Sequence, residues 1–155
     1  MGRRGRSRGT MLLAGFLGVI AAVPSAPASP SGSTGVTSTV LAHGVSEKRL
    51  KLKAKGTADV IVRTITIDPG GSTGWHYHEG QLLIVVTAGT LTRTFEDCSV
   101  EITPAGSAFV EAAGAEHRHI GRNLGTEPVV LHATYVLPKG SPLAVDTEAP
   151  SCAGE

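Results

Sequence analysis

Residues 70–89 read GGSTGWHYHEGQLLIVVTAG, and the fold turns on this stretch. It opens on a Gly-Gly turn, sets His76 and His78 one residue apart, and then runs from Leu82 to Ala88, apolar but for Thr87, before closing on Gly89. A run of that length between glycines is a strand, too short for a core helix. On a strand, residues i and i+2 share a face with backbones roughly 6 to 7 Å apart. Two imidazoles so placed can converge on one ion at about 2.0 to 2.1 Å, while Tyr77 between them points the other way.

The same punctuation recurs along the chain. Val60 to Ile67 alternates, Thr90 to Phe95 alternates again, and Val129 to Leu137 is long and β-branched. Pro69-Gly70-Gly71, Ala88-Gly89, Pro104-Ala105-Gly106 and Pro138-Lys139-Gly140 read as turns between them. No segment carries a sustained 3.6-residue apolar period. About eight short strands in one domain predict an all-β sandwich or jelly-roll barrel. Aromatic residues are 4% of the chain, so aliphatic packing must form the core.

A second His-x-His, His117 and His119, follows about forty residues after the first. Two such pairs among six histidines supply the ligand count of a metal site. His43 and His132 have no partner at ligand spacing and read as ordinary histidines.

These residues resemble the cupins, double-stranded β-helix barrels whose first motif is Gly, five residues, His-x-His, three or four residues, Glu, six residues, Gly. Gly70, His76, His78 and Gly89 match it. The second motif, Gly, five residues, Pro-x-Gly, two residues, His, three residues, Asn, is met by Gly106, Ala112, Gly114, His117 and, two positions late, Asn123. The resemblance covers most of residues 40 to 140. It implies a jelly-roll barrel holding one divalent transition metal on inward-facing histidines.

Two departures shape the expected site. The position that the family fills with a carboxylate is Leu82 here, so the resemblance implies a three-histidine site with Gln81 beside an open position. Replacing Leu82 by Glu would then restore the family's ligand set. Spacing from Gly114 selects His117 as third ligand, whereas spacing from Asn123 selects His119. The expected set is His76, His78 and His117, with His119 placed to hydrogen-bond a bound molecule. Such imidazoles suit Fe, Zn, Cu or Ni alike. General acid or base candidates are Glu79, Glu111 and Glu116, all next to loops.

The N-terminal end has a different character. Arg3, Arg4, Arg6 and Arg8 precede the apolar run Met11 to Val23, and Ala26-x-Ala28 follows. The run is shorter than the roughly 20 residues that span a bilayer, so residues 1–28 read as a signal peptide and the protein as secreted. An uncleaved membrane anchor is the alternative. Residues 29–39, rich in Ser, Gly, Pro and Thr, form a linker, and 40–155 the barrel domain. Four of the fourteen basic side chains and none of the thirteen acidic ones precede Ser29. The mature chain is therefore mildly acidic, and no basic block interleaved with aromatics points to nucleic acid. Export into an oxidising compartment predicts a Cys98–Cys152 disulfide.

No nucleophile elbow or phosphate-cradling loop occurs. The expected partner is a small molecule, with no membrane contact after cleavage. Trp75 and Tyr77, turned away from the ion, would face a neighbouring strand or the partner of a homodimer. Two functions fit: a metalloenzyme of the dioxygenase or isomerase type acting on a small oxygen-bearing molecule, and a barrel that captures a small molecule or metal without turning it over.

Overall fold

In a computed structural model, Gly2 and residues 36–151 are described. All of the expected signal peptide but Gly2, and most of the linker, lie outside them, as does Cys152. The chain divides into Met1–Thr37 and Ser38–Glu155, and the following concerns the second unit.

Among the described residues, nine strands form two antiparallel sheets. They are β1 (Ala58–Ile67), β2 (His76–Tyr77), β3 (Gln81–Ala88), β4 (Thr90–Phe95), β5 (Val100–Pro104), β6 (Ala108–Glu111), β7 (His119–Arg122), β8 (Val129–Pro138) and β9 (Val145–Asp146). One sheet has the order β1-β8-β3-β6 and the other β5-β4-β7-β2-β9. This is the all-β, double-stranded β-helix architecture expected from the sequence. No helix among the described residues is long and apolar enough to cross a membrane.

Period-2 burial fixes which side chains enter the barrel. On β8, Val129, Leu131, Ala133, Tyr135 and Leu137 are buried and alternate with partly covered residues. Leu82, Ile84 and Val86 do the same on the neighbouring β3. With Ile67 and Leu91 these residues make one continuous core. His132 falls in the opposite phase of β8, away from the barrel interior.

Chain crossing between the sheets depends on Gly89. The residue joins β3 in one sheet to β4 in the other with φ +68°, a conformation that side chains other than glycine rarely adopt. A Cβ there would also stand 2.6 Å from the Pro128 carbonyl oxygen. The turn therefore requires glycine for two independent reasons.

Candidate metal centre

The site begins with strand register. His76 on β2 pairs directly with His119 on β7, and directly opposed residues of an antiparallel ladder project to the same face. His78, two residues after His76, keeps that face. The potential ligand atoms of these three histidines all lie within 4.8 Å of one another. All three residues are buried, at 8%, 3% and 3% exposure for His76, His78 and His119.

Each ring is held by the same device. The Nδ1 atoms stand 2.9 Å from the Gly74 carbonyl for His76, 2.7 Å from Leu143 for His78 and 2.9 Å from His117 for His119. A carbonyl oxygen only accepts, so each Nδ1 carries the hydrogen, and in its neutral form each ring presents a lone pair at Nε2. The expected tautomer of a ligating histidine is thus set by backbone oxygens from three separate segments.

A carboxylate completes the cluster. Glu111 ends β6, with its side chain 11% exposed; its oxygens lie 3.3 Å from His78 Nε2 and 3.4 Å from His119 Nε2. Neither contact has hydrogen-bond geometry, and both nitrogens are buried without a partner. Nε2 of His78 and of His119 thus face the oxygens of an anion, an arrangement that needs positive charge between them, either protons on the imidazoles or a metal ion. Burial alone would push the Glu111 carboxyl upward, but His119 and His78 draw it well below the usual carboxylate range. For His119 burial lowers the pKa, and the opposing pull of Glu111 raises it on balance. Burial dominates at His76 and lowers it. The donor set of three imidazoles and one carboxylate fits a divalent transition ion.

Several expected positions are relocated. His117 ends a 3-10 turn, Ala115–His117, with its side chain 49% exposed beside Glu116. That turn takes up the two extra residues between Gly114 and β7, so the spacing from Asn123, and not that from Gly114, selects the residue that joins the pair. Asn123 is itself a buried clamp, donating to the Ile67 and Glu127 carbonyls at 2.9 and 2.8 Å. Gln81 accepts a hydrogen bond from the Lys53 backbone N–H at 2.6 Å and does not line the histidine cavity. Glu79 bonds the Ser141 hydroxyl at the surface, and Glu116 is exposed. His43 is exposed as well.

Leu82 and Glu111 explain the missing carboxylate. They are direct partners in the β3–β6 ladder, so they share a face. Leu82, 1% exposed, lines the histidine cavity where the family motif would place a glutamate, and Glu111 reaches the cluster from across the ladder. Sequence spacing alone could not locate it, because a ladder partner is non-local. Residue alternation did offer a second signal. Leu91, Arg93 and Phe95 share one phase of β4, which sends a charged residue inward; Arg93 is 3% exposed.

Two cavities meet at this cluster. A small one of about 40 Å³ lies among the histidines, Leu82, Tyr135 and Arg93. A larger one of about 480 Å³ runs from residues 45–50 to Phe109, Glu111 and His119. Arg93, Glu111 and His119 line both.

No curated protein matches the chain. Among solved structures it is similar to a protein with a double-stranded β-helix domain from Klebsiella pneumoniae, at 25% identity and a TM-score of 0.50 over 59% of this chain and 78% of that one. It is similar in fold to the polyketide cyclase RemF from Streptomyces resistomycificus, at 18% identity and 0.50 over 62% and 66%. The cupin domain family model matches residues 63–135, from within β1 to within β8, and spans every residue of the cluster. On this match and the double-stranded β-helix architecture, residues 63–135 form a domain of the cupin type.

Proposed function

We propose that this protein is an exported metalloenzyme in which His76, His78, His119 and Glu111 hold one divalent transition metal beside a cavity for a small molecule. The observation that carries the reading is the convergence of buried acceptors at the histidine cluster, with His78 Nε2 and His119 Nε2 left unpaired. A bound ion would supply a Lewis-acid position for an oxygen-bearing substrate or for O₂, chemistry of the dioxygenase or isomerase type. Gly74, Leu143 and His117 hold the imidazoles in register through their carbonyls. Glu111 adds one negative charge, so a divalent ion would keep a single net positive charge toward a substrate.

Elemental analysis of purified, tag-free protein tests the reading. About one Fe, Zn, Cu or Ni per chain is expected. No metal as isolated, and no uptake of any of the four at neutral pH, would overturn it. One observation favours a barrel that holds its molecule without turnover: the other carboxylates considered as acid or base, Glu79 and Glu116, lie at the surface. Sustained product formation by the metal-loaded protein with a panel of small oxygen-bearing molecules would decide between the two.

Export is supported by the basic head, the short apolar run and the Ala26-x-Ala28 pattern. N-terminal sequencing of secreted material should begin near Ser29, and an intact Met11 to Val23 segment in the membrane fraction would replace secretion by anchoring.

A further inference from the structure

The larger cavity has a wall that metal binding does not use. Arg93 stands on β4 opposite Glu101 of β5 and Gly121 of β7, with its guanidinium over the Phe109 ring, 3.4 Å from the centroid. Phe95 lies 5.3 Å from it. These are the only two phenylalanines among the described residues, and both lie against this one cation. Rings packed on its faces confine the guanidinium's contacts to its edges, where the N–H donors lie.

Those edges are incompletely used. Nη2 donates to Glu101, Nη1 stands 4.0 Å from Glu111, and Nε is buried with no acceptor. Glu101 is an exchangeable partner: its side chain is 37% exposed, and Lys48 also holds it, at 3.1 Å. If Glu101 leaves Arg93, it retains a cation.

We propose that Arg93 is the anion-recognition residue of the larger cavity, and that the molecule the site serves carries a carboxylate. The carboxylate takes the Nε and Nη2 donors as a bidentate pair while Glu101 turns to Lys48. Because Arg93 and His119 line the same cavity, a small molecule held this way extends toward the histidine cluster. The inference rests on the reading of that cavity as a small-molecule site, and not on the identity of the ion.

The test is calorimetric titration of the full mature protein with malonate and with its neutral analogue malonamide, the metal content of every sample being measured. Malonate should bind and malonamide should not. Arg93→Gln should weaken malonate at least about tenfold, the loss of a charge-assisted pair, with metal content unchanged. Glu101→Gln should tighten it severalfold, because a competing carboxylate is removed. Equal binding of the two probes, malonate binding unaffected by Arg93→Gln, or no malonate binding at tens of millimolar would each overturn the proposal. If Arg93→Gln does not fold, Glu101→Gln decides alone, and unchanged or weaker binding there overturns it. Metal retained without malonate binding would refute anion recognition only. Arg93-dependent malonate binding to a protein that takes up no metal would refute the metal centre only.

Discussion

His76 and His119 face each other across the β2–β7 ladder with ring centroids 4.6 Å apart, although 42 residues separate them in sequence. His117, only two residues from His119, lies outside the pairing at the end of a solvent-exposed turn. His119→Ala should therefore abolish most metal binding, and His117→Ala should leave stoichiometry near one per chain. Metal content after dialysis distinguishes them. The reverse outcome would place the third ligand in the turn.

Carboxylate placement gives a sharper test. Glu111→Leu should cost about 10- to 100-fold in metal affinity if the carboxylate supports the centre. Leu82→Glu alone places a second carboxylate directly opposite the first on a buried face, and the like charges should lower thermal stability in the metal-free protein. The double variant Leu82→Glu/Glu111→Leu moves the charge across the ladder and should recover much of the lost affinity. Competition with a chelator measures all three, and a double variant as weak as Glu111→Leu would show that the β6 position is required.

How far the sequence carried the reading depended on whether the information was local. Strands β3, β4 and β8 and the turn at Gly89 were legible because apolar phase and glycine placement are properties of neighbouring residues. His76 and His78 were legible for the same reason, since i and i+2 share a strand face wherever the strand goes. Glu111 was named only as a candidate acid or base, because its role comes from lying opposite Leu82, and ladder register is set by the whole sheet. His119 was displaced from first choice by a 3-10 turn that absorbs two residues without altering any residue type. Arg93 carried a signal in its inward phase between Leu91 and Phe95, but which donors it would leave unpaired depends on β5 and β6.

Backbone strain can be tested separately from the site. Gly89→Ala combines a positive φ with a Cβ that meets the Pro128 carbonyl, and should destabilise by roughly 2 to 3 kcal/mol or more. Gly106→Ala has φ +87° but nothing within 4 Å of the added Cβ, so it should cost only about 1 to 2 kcal/mol. Urea unfolding of both, with unchanged slopes, would check the order. Equal losses would remove the close approach from the explanation.

Cys98 lies in the turn between β4 and β5, where it has φ 61° and its N–H donates to the Phe95 carbonyl at 2.9 Å. The expected bridge to Cys152 would tie the chain's end to that turn. Denatured, unreduced protein should show no free thiol, and reduction should cost roughly 2 to 5 kcal/mol while metal content stays constant. Two titratable thiols in secreted material would refute the pairing.

The carbonyl that fixes His78 belongs to Leu143, 65 residues downstream and beyond the last long strand. A chain cut or stalled ahead of that residue contains all three histidines and yet lacks the contact that fixes the tautomer of one of them. The His78 geometry thus depends on a segment that follows the last long strand. A polypeptide without that segment would offer an ion two imidazoles already oriented and a third still free to turn, so the docking of residues after β8 would complete the set.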